Sequence, residues 1–444
     1  MPWRLCKTLC RSRGWDNGSS MPLGIYISVP FCRTKCSYCN FASDVFSRKV
    51  FDSYVVRVCA DISIAPQTAR AMGGQFEPEV DSIYMGGGTP TVLESAQLQR
   101  IFTAVREQFL VLPNAEVTVE CAPGTLTLEM IDTLLRCGVN RVSLGVQSFV
   151  DGEAAAVGRL HKRTTVIEEV ARLRASGIAN INIDLIAGLP HQTAESWRVS
   201  VEETIATGAP HVSVYMLEID EDSRLGGELI AGGTRYHAHF VPDEDATADF
   251  YTEACEKLNS AGIVQYEISN FARPGFESRH NLKYWTRQPY LGFGVDAHSM
   301  LGATGRVGAI DREGHEFSRA ATTQAREPGF SPGGGKIDAV RFATGDSLEK
   351  YVAGAPLQST EVSREAALEE TFFLGLRLTR GVSLDQADAK FGAGAVRRHD
   401  PAIAEMNANG LLERENEIVR LTPRGRLLSN EVFQCFLSPV ESVR

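Results

Sequence analysis

The stretch Cys32-Arg33-Thr34-Lys35-Cys36-Ser37-Tyr38-Cys39 decides how this chain is read, because it sets three thiols in a CxxxCxxC run directly after the apolar segment 24–29. Spacings of four and three place three thiolates around one point in a loop, and soft thiolates hold zinc or iron–sulfur clusters. A closed structural zinc site takes a fourth Cys or His nearby; here the residues after Cys39 are Asn40 and Phe41. A four-iron cube held by three cysteines instead keeps one iron open to an exchangeable ligand. With 10 cysteines in 444 residues, chance placement yields this pattern in about one sequence in two hundred, so coincidence is a poor explanation.

Around this loop the composition is ordinary for a globular protein, 43% hydrophobic and 23% charged. A net charge of −10 argues against a general binder of nucleic acid or anionic membranes, whose affinity depends on Lys and Arg. No apolar run approaches the roughly 20 residues that span a bilayer, so any membrane association is expected to be peripheral. The cysteines lack the dense spacing of a secreted disulfide framework, which suits a reducing cytoplasm. Residues 1–20 carry Arg4, Lys7, Arg11 and Arg13 against Asp16 alone. They read as a disordered extension, with Met21 the expected functional start and Cys6 and Cys10 incidental.

From 24 to about 217, β-rich apolar runs alternate with amphipathic stretches. Strands are expected at 24–29, 80–85, 116–121, 141–146, 180–186 and 212–217, several reading as the continuous apolar runs of strands buried on both faces. Helices are expected at 51–64, 94–108, 127–137, 164–175, 194–207 and 243–261, the last preceding a strand at 264–268, with Gly138 and Gly177 as C-caps. Six βα units in series predict a parallel sheet able to curl into a barrel. In such a barrel the chemistry collects at the C-terminal strand ends. The unusual residues do gather there: strand one leads into Cys32, strand two into Gly86-Gly87-Gly88-Thr89-Pro90, strand three ends at Glu120, strand four leads to Gln147 and Ser148, and strand five carries Asp184.

The string Ile25-Tyr26-Ile27-Ser28-Val29-Pro30-Phe31-Cys32 running into CxxxCxxC resembles the cluster loop of radical S-adenosylmethionine (SAM) proteins. More narrowly, it resembles the branch that contains oxygen-independent coproporphyrinogen III oxidase and the HemW heme chaperones. The resemblance implies a partial (β/α)6 barrel, open on one side, with a [4Fe-4S] cluster on Cys32, Cys36 and Cys39 whose open iron is chelated by SAM. Gly86 to Pro90 resembles the GGGTP motif whose backbone holds the SAM amino group, which brings in Gly87, Gly88 and Thr89. By the same resemblance Tyr26 and Glu120 line the SAM, His298 lines that pocket through its backbone, and Gln147, Arg159 and Asp184 match positions that hold a second SAM in the oxidase branch. Taken singly, each of these is more often a structural hydrogen bonder.

A second informative stretch runs from Tyr266 to Trp285 and holds aromatics, one imidazole and cations. That mixture suits a flat anionic ligand such as a porphyrin, although from chemistry alone an anchored surface loop is the commoner explanation. His280-Asn281-Leu282-Lys283-Tyr284 resembles the HNxxY motif of HemW-type proteins, which implies a heme site at His280, Asn281 and Tyr284. Residues 301–345 read as barrel-edge strands, near 306–310 and 338–342, with a Gly/Pro-rich linker. Residues 346–444 read as helices at 365–376, 383–391 and 402–408, then a hairpin and a final helix, a mainly helical, winged-helix-like domain after the barrel of 21–300. From Asp346 onward 12 Lys and Arg stand against 15 Asp and Glu, so the basic footprint of a DNA reader is absent. Leu374 to Arg377 resembles the family's C-terminal domain, expected to cover the barrel mouth or meet a partner.

The oxidase pattern has a further Cys two residues past the third; here Phe41 stands there. The expectation is therefore a heme chaperone that binds heme, cluster and SAM and passes heme to an acceptor hemoprotein, of the respiratory chain, as a homodimer. The alternatives are the oxidase itself and, with the charge against it, a nucleic-acid-binding redox regulator.

Overall fold

The computed structural model describes residues 21–304 and 336–438. The expected N-terminal extension, Cys6, Cys10, the strand near 306–310 and most of the Gly/Pro-rich linker lie outside the described residues. Six strands, β1 (Leu23–Val29), β2 (Glu79–Gly87), β3 (Leu110–Cys121), β4 (Arg141–Gln147), β5 (Asn180–Ala187) and β6 (His211–Met216), lie side by side, parallel and in chain order. The helices Phe51–Ser63, Ser95–Gln108, Leu128–Arg136, Arg163–Ala175 and Ala194–Thr207 connect them. The six βα units fall where the sequence places them.

The strand interiors differ from the expected two-sided apolar runs. They alternate. Leu23, Ile25, Ile27 and Val29 of β1, Val142, Leu144 and Val146 of β4, and Ile181, Ile183 and Leu185 of β5 are fully buried in the main apolar cluster together with the helices' apolar faces. Each such side chain contributes roughly 1.5–3 kcal/mol of hydrophobic stabilisation. The intervening residues, among them Tyr84, Glu120, Arg141, Gln147, Asn182, Asp184 and Ser213, line a cavity inside the sheet's curve. A period of two sends successive side chains to opposite faces, and here one face meets helices while the other meets a polar interior.

Beyond β6 the chain adds β7 (Val264–Gln265) and β8 (Asn270–Ala272), both antiparallel to their neighbours. It then returns to the far side, where β9 (Tyr290–Gly294) pairs parallel with β1. Strands β10 (His298–Gly302), β11 (Ile337–Ala343) and β12 (Gln358–Ser363) continue that edge antiparallel. The resulting twelve-stranded sheet runs β12-β11-β10-β9-β1-β2-β3-β4-β5-β6-β8-β7, and its end strands do not meet. It is a partial barrel with an open seam.

In the tail, β13 (Val382–Ser383), β14 (Leu412–Glu415) and β15 (Ile418–Leu421) form a small antiparallel sheet among the helices Arg364–Gly375, Leu384–Phe391, Asp400–Ala408, Pro423–Leu427 and Ser429–Gln434. A second apolar cluster centres on Phe372, which stacks on Phe436 at 4.8 Å. Ion pairs fasten this unit to the barrel edge. Buried Arg287 meets Glu370 at 2.8 Å and Asp338 at 3.2 Å, and Arg341 meets Glu370 at 2.8 Å. Arg377 reaches buried Glu267 at 3.3 Å and lies over the Trp285 ring. No helix among the described residues is long and apolar enough to cross a membrane.

Removing one member of a buried charge network strands the others. Arg287→Ala is expected to destabilise the fold by about 3 kcal/mol or more, read as a lower urea midpoint, with a loss under 1 kcal/mol showing the network to be dispensable.

Candidate functional site

The cysteine loop leaves β1 at the C-terminal rim of the sheet and is pinned from several sides. Cys32 N donates to Asp44 O at 3.0 Å, and Asp44 N donates to Pro30 O at 3.0 Å. Lys35 Nζ donates to the Phe41 carbonyl at 2.7 Å. Thr34 Oγ1 donates to Gly158 O at 3.0 Å, and Ser37 N to Val157 O at 3.2 Å. These bonds fix the backbone that carries the three cysteines before any ligand arrives. All three are free thiols and line one cavity of about 320 Å³. Burial raises the pKa of Cys32, whose Sγ lies 3.9 Å from Thr89 Oγ1. Among the described residues no group of three His, Cys, Asp or Glu is gathered for a single metal ion; a four-iron cube is larger than one ion and spreads its thiolates wider.

Directly beneath runs the Gly86-Gly87-Gly88 segment. Gly87 has φ +95°, a conformation glycine reaches at no steric cost. A Cβ on Gly88 would lie 2.7 Å from the Phe31 carbonyl oxygen and 2.8 Å from that of Val29. Only glycine lets the end of β2 pass so close to the cysteine loop, where Gly88 N donates to Val29 O and Thr89 N to Phe31 O. Glu120, on β3, accepts from Tyr84 OH at 2.7 Å and from Gly87 N at 3.2 Å. Burial pushes its carboxyl up to about 7, with the Tyr84 bond pulling the other way and Asp184 adding to the rise.

The wall opposite carries Gln147, Arg159 and Asp184. Gln147 closes β4 with φ +70°, and its buried Oε1 has no partner among the described residues. Arg159 donates to Tyr38 OH at 2.8 Å, while its Nε is buried without a partner. Asp184 accepts from Ser143 Oγ at 3.1 Å and Asn182 Nδ2 at 2.7 Å, and burial raises its pKa. Unsatisfied buried polar atoms facing a cavity are what a ligand would complete.

The remaining expected residues fall elsewhere. Tyr26 stands behind Gly87 rather than on the cavity wall, and burial raises its phenol. His298 is exposed at the start of β10, 3.7 Å from Asp296, and is not part of the wall. Asn281 reaches the cavity. His280 and Tyr284 do not. His280, expected in the heme site, has neither ring nitrogen free here: it is 1% exposed, with Nδ1 bonded to Ser82 Oγ at 3.0 Å and Nε2 to Tyr284 OH at 2.8 Å. Burial, with Lys283 and Arg141 nearby, pushes its pKa down to about 3. A neutral ring in so dry a place must have both nitrogens engaged. Among the described residues none beyond Asn281 lines the cavity, so the described part of the C-terminal unit forms none of its wall.

Sequence reasoning missed His161 and Arg141. His161 lines the cavity with Nε2 on Val146 O at 3.1 Å, its pKa pushed down to about 4 by burial and by Arg159. Arg141 lines it from the first position of β4. The signal available was the strand's alternation, Arg-Val-Ser-Leu-Gly-Val-Gln, whose polar members share one face.

With this geometry in view, comparison with known proteins gives a consistent answer. Residues 26–203 match the Radical SAM superfamily and residues 362–428 the HemN C-terminal domain. A solved coproporphyrinogen III oxidase from Escherichia coli, described as a radical SAM enzyme, shares the fold with a TM-score of 0.75 over 95% of this chain and 91% of its own, at 22% identity. The chain is thus a radical SAM fold with the thiol loop of that class. It is 32% identical to the heme chaperone HemW of Lactococcus lactis over 94% of this chain and 97% of that protein, and 33% identical to that of Bacillus subtilis over 93% and 98%. The chain belongs to the HemW family of heme chaperones.

In the folded chain Glu120 keeps its proton up to about pH 7, against 4.5 for an ordinary glutamate. The folded state therefore binds more protons than the unfolded state between these values, and stability falls as pH rises through that window. Thermal melts from pH 4.5 to 8 are expected to show this fall in wild type and to show it reduced in Glu120→Gln, by on the order of 3 kcal/mol across the window. Parallel pH curves for the two proteins would disprove the assignment.

Proposed function

We propose that this chain binds a [4Fe-4S] cluster, SAM and heme, and passes the heme to an acceptor hemoprotein of the respiratory chain, working in the cytoplasm as a homodimer with at most peripheral membrane association. The observation that carries the reading is the pinned loop of three free thiols over one cavity with the Gly87–Gly88 cradle and Glu120. Cys32, Cys36 and Cys39 would hold three irons. Gly87, Gly88, Thr89 and Glu120 would hold the amino end of SAM at the fourth, with Tyr26 behind them. When bound, such a cluster supplies electrons one at a time.

Glu120 suits the amino group because its two oxygens already take Tyr84 OH and Gly87 N, so they are oriented before binding. Gln147, Arg159 and Asp184 supply an acceptor, a cation and a carboxylate across the cavity. His280 holds Tyr284 and braces the wall at Ser82, while Asn281 makes the contact with the ligand. In this reading the HNxxY segment shapes the heme site, and His280 itself gives the iron no lone pair. The described part of the unit at 346–444 lines none of the cavity, and the unit is proposed to meet the partner protein.

The oxidase reading shares the fold, which at 22% identity is all the solved oxidase supports. Phe41, 64% exposed at the rim, stands where the oxidase pattern has a cysteine, which favours the carrier. Anaerobic incubation with coproporphyrinogen, SAM and reductant is expected to yield no protoporphyrinogen; its appearance would sink the carrier reading.

Cys36→Ser is expected to abolish the broad visible absorbance of a reconstituted cluster. Hemin titration of wild type and His280→Ala is expected to give the same Soret position with affinity weakened a few-fold. A Soret shift in the variant would restore His280 as an iron ligand.

A further inference from the structure

Arg141 stands at the first position of β4, on the cavity face, and is 1% exposed. Among the described residues no hydrogen bond or ion pair reaches its guanidinium, and its Nε is buried without a partner. Thr118, its neighbour across the β3–β4 ladder, has a hydroxyl in the same condition. The carboxylates inside the barrel are committed elsewhere. Glu116 accepts from Arg279 N at 3.1 Å and His280 N at 3.2 Å, Glu120 from Tyr84 and Gly87, and Asp184 from Ser143 and Asn182. Arg141 also acts on the charge of Asp184, a carboxylate to which it makes no hydrogen bond, and on Tyr84, His211, Tyr266 and His280, none of these four an anion at neutral pH, as burial raises the phenols and lowers the imidazoles. Buried Arg287, by contrast, is met by Asp338 and Glu370. A desolvated guanidinium with no carboxylate in hydrogen-bond reach is costly for the empty protein, and the cavity reaches it.

We propose that Arg141 forms an anion subsite at the floor of the cavity, where its planar fork receives a carboxylate of the bound molecule. The inference rests on reading the cavity as the ligand site of a heme chaperone that also binds SAM. The carboxylate is then that of the SAM amino-acid end or a heme propionate.

The test uses the full chain with its cluster reconstituted, as wild type, Arg141→Met and Arg141→Lys, titrated with SAM, decarboxylated SAM, hemin and hemin dimethyl ester. Arg141→Met is expected to weaken one acid-bearing ligand by about 10- to 100-fold, to bind its carboxylate-free analogue as wild type does, and to place Arg141→Lys between the two. Whether SAM or hemin is the one weakened identifies the source. Wild-type affinity for both acids in Arg141→Met would overturn the subsite. Melting of the ligand-free proteins gives a second readout: removal of an unpaired buried charge should hold or raise the Tm, whereas a lowered Tm would make Arg141 a structural residue and overturn the proposal. If wild type binds neither SAM nor hemin, the functional reading falls, and the melting comparison alone decides for or against an unpaired guanidinium.

Discussion

Everything in this barrel depends on one constraint of the pleated strand, that successive side chains face opposite ways. On the outer face the constraint is met with Leu, Ile and Val buried under helices. On the inner face it places Tyr84, Glu120, Arg141, Gln147, Asn182 and Asp184 around a shared space. The apolar face supplies the burial that holds the sheet together. The inner face is therefore free to carry charges that a packed core would reject. The sheet does not close on itself: β12 stands at one edge and β7 at the other, which leaves an open seam.

Much of this is legible in the order of the amino acids. The parallel strands and their helices are visible because each is a recognisable run, and the thiol loop, the glycine run, Glu120 and Asp184 are visible because they follow strands or interrupt them with charge. The antiparallel additions are harder to see, as β7 and β8 span only two and three residues and carry almost no periodic signal. The inner alternation is written in Arg-Val-Ser-Leu-Gly-Val-Gln, yet the rule that parallel strands are apolar on both sides obscures it. Arg141 and His161 read as ordinary polar residues because only the tertiary fold brings them to the shared cavity.

His280 shows a different limit. Its motif is recognisable, but one of its two partners, Ser82, lies 198 positions away. No local reading shows that both ring nitrogens are taken. The same separation along the chain hides the role of Arg377, which looks like the end of a family motif and proves to be a fastening between the tail and Glu267 of the barrel. Motifs name candidate residues; the tertiary partners decide which of their atoms remain available.

The fastening itself has a thermal consequence. The tail is joined to the barrel edge through Arg287, Glu370 and Asp338, charges largely withdrawn from water, with the more exposed Arg341 at their rim. Withdrawn pairs are screened far less by dissolved ions than exposed ones, and they do not share the weakening that apolar contacts suffer on cooling. The joint between the two units therefore holds its geometry in brine and in the cold, where a seam of leucines alone would begin to slip.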